Sequence, residues 1–261
     1  MAALLLVSIN NSTIDLGIWE GDALVGTWSA ATPSAMTADE ARALATSLPA
    51  LDPCGAQALG RVCDGVLASV VPALTEAWEE ALASLCGRRP LVVGPGVKTG
   101  LRMRYNDPGE LGADRVANLV AAVAAYESPL VVLCAGTTTN LEVVDAQGVF
   151  LGGVIAPGLR LSARALSQGA ARLAEVDLRA PAGVIGKNTR EAMQIGVVVG
   201  EAARLDGLLA AVWEQLGYET AVIATGPDAP AIAALSRRVD RVDDTLTLRG
   251  LALIHARNRK G

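Results

Sequence analysis

At 261 residues the chain has room for one large or two medium domains. Its formal charge of −5, with no Lys/Arg-rich run, argues against nucleic acid or an anionic membrane as a partner. Hydrophobic residues make up 51% and aromatic residues 3%, so the core is expected to be aliphatic. No apolar run reaches the length of a membrane span and MAALLLVSIN carries no basic leader, so the expectation is a cytoplasmic protein.

The chain opens with three predicted strands, at about 3–9, 13–19 and 23–29. In the second, Ile14, Leu16 and Ile18 alternate with Asp15 and Gly17, as on a strand with one buried face. The turn before it carries Asn10, Asn11, Ser12 and Thr13. A hairpin needs only a Gly or Asn there, so four side-chain hydrogen-bonding groups in a row suggest a ligand. A helix follows on 37–48, then a strand on 65–71, a helix on 75–86 and a strand on 91–94. From Pro95 to Gly112 the apolar period stops and the sequence reads as a long loop, a length that is usually functional. Its GPGVKTG segment (94–100) is not a P-loop, because Val97 rather than Gly precedes Lys98 and no helix follows. A helix on 113–126 and a strand on 130–136 come next.

At that strand the plan begins again. LCAGTTTNLEVVDAQGVFLGGVIA repeats the order strand, polar turn, strand, glycine turn, strand of VSINNSTIDLGIWEGDALVGTWS. The match places Ser8 beside Cys134 and the Asn10–Ser12 turn beside Gly136–Thr138. The duplication divides the chain into related domains at 1–115 and 116–261, each of α/β layers, with a ligand cleft expected between their polar turns. Backbone N–H groups and hydroxyls in such turns can cradle phosphate without a basic residue; well-made hairpins are the plainer reading. The rest of the chain predicts helices near 160–173 and over 188–217, a strand on 220–226, and helices on 228–237 and 246–258.

Cys54, Cys63, Cys86 and Cys134 form no C-x-x-C pair and His255 is the one histidine, so buried, inert thiols are expected in place of zinc or disulfides. The pairs Arg88-Arg89 and Arg237-Arg238 read as solvated helix ends. LGADR (111–115) sets an acid and a base at the start of a helix behind a glycine-bearing loop. Asp114 there also suits a helix N-terminus on dipole grounds alone.

SVVPALT (69–75), LVVGPGVKTGL (91–101), RYNDPGELGADRVAN (104–118), LGGVIAPG (151–158) and VIGKNTREAMQ (184–194) together resemble the type III pantothenate kinases, in order and over nearly the whole chain. The resemblance implies two duplicated domains of the actin, hexokinase, Hsp70 and acetate kinase superfamily, which is ribonuclease H-like. It also implies a homodimer that phosphorylates pantothenate with ATP and Mg²⁺, the first step towards coenzyme A. On this basis Asp114 is the catalytic base, and Tyr105, Gly112, Ala113, Arg115 and Thr189 bind pantothenate. The helix N-terminus is expected to keep Asp114 ionised, as a weak base that positions the attacking hydroxyl.

The nucleotide side departs from the family pattern. Asp-x-Gly-Asn-Thr-Asn-Thr is here Ser8-Ile9-Asn10-Asn11-Ser12-Thr13-Ile14, with Ser8 in place of the acid. Asp-Phe-Gly-Thr is Cys134-Ala135-Gly136-Thr137, so the acid linked to a monovalent cation, K⁺ or NH₄⁺, is absent too. The adenosine segment has Gly226-Pro227 where Gly-Gly is usual. The resemblance thus gives Ser8, Asn10, Asn11, Ser12, Thr13, Gly136, Thr137, Thr139 and Gly226 as nucleotide-binding, with the usual metal acids replaced at Ser8 and Cys134. Asp15 and Glu142 are the nearest acids that could take over. Two readings follow: a kinase with weakened or altered nucleotide use, or a non-catalytic relative that binds pantothenate or a pantetheine compound as a regulatory or partner subunit. A kinase for another small hydroxylated substrate is disfavoured by the intact pantothenate-side motifs.

Overall fold

The computed structural model describes residues 2–169 and 176–259. Two compact units emerge from the contacts: unit 1 is 1–101, 106–125 and 245–261, and unit 2 is 102–105 and 126–244.

Unit 1 opens with β1 (Ala3–Ile9), β2 (Thr13–Glu20) and β3 (Ala23–Ala31), then α1 (Ala38–Ser47), α2 (Pro53–Leu59), β4 (Val62–Ser69), α3 (Pro72–Cys86) and β5 (Leu91–Val92). The sheet order is β3-β2-β1-β4-β5, antiparallel from β3 to β1 and parallel from β1 to β5. Leu5, Val7, Ile9, Ile14, Leu16 and Ile18 face one way and form a core with Leu74, Trp78 and Leu82 of α3. The opposite face meets α9 (Leu246–Asn258), which packs in turn on α4 (Ala113–Ala125). α2 is not in the sequence reading. It is short, but Asp52 caps it by accepting from the Gly55 N–H at 2.7 Å, and Pro53 begins it.

Unit 2 repeats the plan. It contains β6 (Arg102–Met103), β7 (Leu130–Ala135), β8 (Thr138–Val144), β9 (Val149–Pro157), α5 (Leu159–Gly169), α6 (Thr189–Gln194), α7 (Gly200–Leu216), β10 (Ala221–Thr225), α8 (Ala229–Ala233) and β11 (Arg241–Val242). The sheet runs β11-β10-β7-β8-β9-β6. Its β9-β8-β7-β10 portion has the order and strand directions of β3-β2-β1-β4, so the duplication extends to the fold. The helix expected over 188–217 is broken by a π-helical turn at 195–199. Of the helix expected near 160–173, residues 170–173 lie outside the described residues.

A boundary at 115/116 would cut α4 near its start. The contacts instead keep α4 whole in unit 1 and bring the last helix of the chain back to it. The join is close: a Cβ on Gly250 of α9 would overlap the carbonyl of Ala117. Thr247 donates to Asn118 Oδ1 at 2.7 Å, and His255 Nε2 meets Asp64 Oδ2 of β4 at 2.9 Å. The GPGVKTG loop serves the same helix, through Lys98 N–H to Asn258 Oδ1 at 3.0 Å and Arg257 to the Thr99 carbonyl.

The cysteines depart from expectation. All four are free, but none is fully buried: Cys54 and Cys63 are exposed, because α2 and the first residues of β4 lie at the surface, and Cys86 and Cys134 are half-buried. Burial, with Asp64 and Cys63 nearby, pushes the Cys86 thiol up to about 11.

Gly250→Ala is expected to lower stability by about 1–3 kcal/mol, because the methyl forces α9 away from α4. Urea denaturation with an unchanged m-value measures it.

Candidate functional site

In unit 1 the candidate residues gather at the carboxyl end of the parallel β1–β4 pair. β1 ends at Ser8-Ile9, and β2 returns with Ser8 opposite Asp15 and Ile9 opposite Ile14. Val70, just past β4, donates its N–H to Ile9 O at 3.0 Å. A Cβ on Gly112 would lie 3.4 Å from Val70 Cγ1 and 2.6 Å from Asp114 Oδ1, so the missing side chain is what lets the carboxylate sit there. The Gly112 carbonyl then accepts the N–H of Val116, opening α4 with Ala113 and Asp114 in its first turn.

The turn itself is a connected polar network. Asn10 N–H donates to Thr13 O at 2.8 Å, and Thr32 Oγ1 to Asn10 O at 2.7 Å. Asn10 Nδ2 and Thr13 Oγ1 both donate to Asp15 Oδ2, at 2.9 and 3.2 Å. Ser8 is fully buried, with its hydroxyl 3.5 Å from Asn10 Oδ1. Asn11 and Ser12 are exposed at the tip.

Asp114 corrects the electrostatic expectation. Burial raises its carboxyl above the usual range, outweighing the backbone N–H groups of Arg115 and Asp114 and the Arg115 charge that pull it down. The helix N-terminus acts as expected but is the smaller effect, since desolvation penalises the ionised form directly. Arg115 is itself buried, an unusual place for a guanidinium without a structural or binding task.

Unit 2 holds the remaining residues. Gly136 N–H donates to Thr138 O at 3.1 Å across the β7–β8 turn. Two glycines close on this turn. A Cβ on Gly158 would overlap the Gly136 carbonyl, and one on Gly226, at φ +96°, would lie 2.5 Å from the Ala135 carbonyl. Thr137 is exposed at the tip, whereas Thr139 is buried with its hydroxyl donated to Glu201 Oε1 at 2.7 Å. Cys134 pairs across the ladder with Asn140, the position equivalent to Ser8 opposite Asp15. Glu142 stands opposite Val132, one pleat back from the turn, so it does not occupy the place Cys134 leaves. Tyr105 packs on Phe150 with ring centroids 5.4 Å apart, and Thr189 is exposed at the start of α6, behind its cap Asn188.

Sequence reasoning missed Gly158, Glu201 and Asp228. Gly158 had a signal, in Pro-Gly directly before a helix. The two acids had none, because only the packing shows Glu201 reaching Thr139 and Arg204, or Asp228 buried beside Arg160 at 3.6 Å.

The two units have the fold of the actin and hexokinase class. The structure aligns with a conserved Baf family protein from Campylobacter jejuni at TM-score 0.61, with 19% identity over 97% of this chain and 98% of that one. It aligns with the ROK hexokinase of Thermus thermophilus at TM-score 0.52, with 15% identity over 97% of each chain. Within that class residues 4–211 match the family model of the type III pantothenate kinases. The type III pantothenate kinase of Anaeromyxobacter dehalogenans strain 2CP-C is 40% identical over 259 residues, covering 98% of this chain and 100% of that one. The chain belongs to the type III pantothenate kinase family.

The raised Asp114 carboxyl has a consequence for stability. A native pKa above the unfolded value means that the folded state holds the proton more tightly, so this contribution falls as pH rises between the two. Asp114→Asn, neutral throughout, is expected to melt higher than the parent at pH 7. The difference should vanish below about pH 4, where both states of the parent are protonated. Thermal denaturation across pH checks the sign.

Proposed function

We propose that the chain is a working pantothenate kinase, which transfers the γ-phosphoryl group of ATP to the primary hydroxyl of pantothenate to give 4′-phosphopantothenate. The observation that carries this reading is the state of Asp114: a largely buried carboxylate with a raised pKa, at the sheet end that also carries the polar β1–β2 turn. A structural helix cap gains nothing from burial that disfavours its charge. A general base does, because proton transfer is most effective when the base titrates nearer the working pH.

In this reading the substrate hydroxyl donates its hydrogen bond to Asp114, which orients the oxygen and takes its proton as the bond to phosphorus forms. Gly112 and Ala113 add no bulk beside the carboxylate, and Arg115, Tyr105 and Thr189 are assigned to pantothenate. In a loose phosphoryl-transfer transition state positioning matters more than basicity, so a modestly raised base suffices. For the donor, the exposed turn tips at Asn11, Ser12 and Thr137 carry hydroxyl and amide groups suited to phosphate oxygens.

Magnesium supplies charge neutralisation on the phosphates when it is bound. The unit 1 turn suits it chemically, since its side chains at Ser8, Asn10 and Asp15 present oxygen. No group of three His, Cys, Asp or Glu among the described residues forms an all-protein cage, which Mg²⁺ does not need.

We also assign the working form to a homodimer. The family resemblance is what supports this, and Ile155, Leu161, Leu166, Val184 and Ile185 of unit 2 are exposed apolar side chains that a partner would cover. A cytoplasmic setting fits four free thiols, and no helix among the described residues is long and apolar enough to cross a membrane.

Purified protein with pantothenate, MgCl₂ and ATP is expected to form phosphopantothenate, and Asp114→Asn to lose about 10²–10⁴-fold in kcat, with pantothenate still bound by calorimetry. The acid limb of kcat/KM should fall at a pH above the ordinary carboxylate value of about 4, since the base must be ionised. Pantothenate binding without product from any nucleoside triphosphate would instead support the non-catalytic reading.

A further inference from the structure

The turn that lost an acid at Ser8 has a carboxylate facing it from the next strand. Ser8 on β1 stands directly opposite Asp15 on β2, and Asp15 opposite Ser29 on β3, so the three side chains form a row on one face of the sheet. This is the face that α9 covers, because a Cβ on Gly17, one pleat further from the turn, would lie 2.9 Å from Leu248 of that helix. Opposed residues on antiparallel strands have Cβ atoms about 4.5–5.5 Å apart, so moving a carboxylate from one strand to its partner displaces it by little more than its own length.

Asp15 is also aimed. Asn10 Nδ2 and Thr13 Oγ1 donate to its Oδ2, and Ser29 Oγ donates to its Oδ1 at 2.6 Å. A carboxylate accepts about four hydrogen bonds, so three donors fix its orientation and leave one acceptor direction on Oδ1. All three donors are neutral, and no basic side chain pairs with Asp15 among the described residues. Three buried acids of the chain are paired with bases: Asp64 has His255, Arg88 and Arg259, Glu201 has Arg204, and Asp228 has Arg160. Asp15, like Asp145, is held by neutral donors, but Asp145 is buried on the backbone N–H groups of its own turn, whereas Asp15 is only partly buried.

We propose that Asp15 is the carboxylate by which unit 1 holds the divalent cation that accompanies the nucleotide phosphates. The inference rests on the kinase reading and deepens it: the metal-side charge has moved across one strand rather than disappeared. A cation bound with phosphates needs only one or two protein carboxylates and keeps several waters, which suits a single acid at the mouth of a hydroxyl-rich turn.

The test is Mn²⁺ retention by protein saturated with a non-hydrolysable ATP analogue, read by electron paramagnetic resonance. Asp15→Asn and Asp15→Ser are expected to weaken retention about 10–100-fold, while Asp15→Glu, which keeps the charge, stays closer to the parent. Melting temperatures of all three monitor folding, and a variant that does not fold leaves the comparison to the other neutral one and the glutamate. Unchanged retention in the neutral variants, or an equal loss in Asp15→Glu, would overturn the proposal and leave Asp15 as a brace of the hairpin. A parent protein that retains no Mn²⁺ with any nucleotide would overturn the kinase reading as well, so the two failures are distinguishable.

Discussion

The contact between α9 and α4 governs the candidate site in unit 1. Gly250 against the Ala117 carbonyl leaves no room for a side chain, and it lies one helical turn from Asp114. α9 is fixed in turn by His255 on Asp64, by Asn258 and Arg257 on the 98–99 loop, and by Leu248 beside Gly17. The end of the chain therefore sets the position of a helix more than a hundred residues earlier. The GPGVKTG loop, which lacks the spacing of a P-loop, serves to anchor that end.

The same packing sets the chemistry of Asp114. A carboxylate at an exposed helix N-terminus would be held in its charged form by the dipole. Here α4 is covered through most of its length, from Arg115 to Ala122, and burial reverses the balance. The raised pKa of Asp114 is produced by the packing around it and not by the residues next to it in sequence.

Much of this was legible in the sequence because it is periodic. The apolar run of β1, the alternation in β2, the repeat at Cys134 and the helix on 113–126 follow from local pattern, and the repeated strand order bears out the duplication. What escaped is non-local. The return of α9 to unit 1 depends on a glycine whose reason is a carbonyl far away in the chain, and Glu201 and Asp228 matter only through what packs on them. α2 escaped for another reason: seven residues hold too little periodicity to register, although Asp52-Pro53 marks its start.

The duplicated units have diverged unequally at equivalent positions. In unit 1 the cross-strand pair is Ser8 and Asp15, a buried hydroxyl and an oriented carboxylate; in unit 2 it is Cys134 and Asn140, neither of them a carboxylate. Of the acids near the unit 2 turn, Glu201 pairs with Arg204 and accepts from Thr139, Asp228 lies 3.6 Å from Arg160, and the turn itself is held between Gly158 and Gly226. Under the kinase reading, Asp114 and Asp15, the carboxylates proposed for the attacking hydroxyl and the metal, both belong to unit 1. A carboxylate opposite Asn140 would need a cation, or a donor set like the one around Asp15, to offset its charge, and with Cys134 at that position the turn of unit 2 brings no carboxylate to offset.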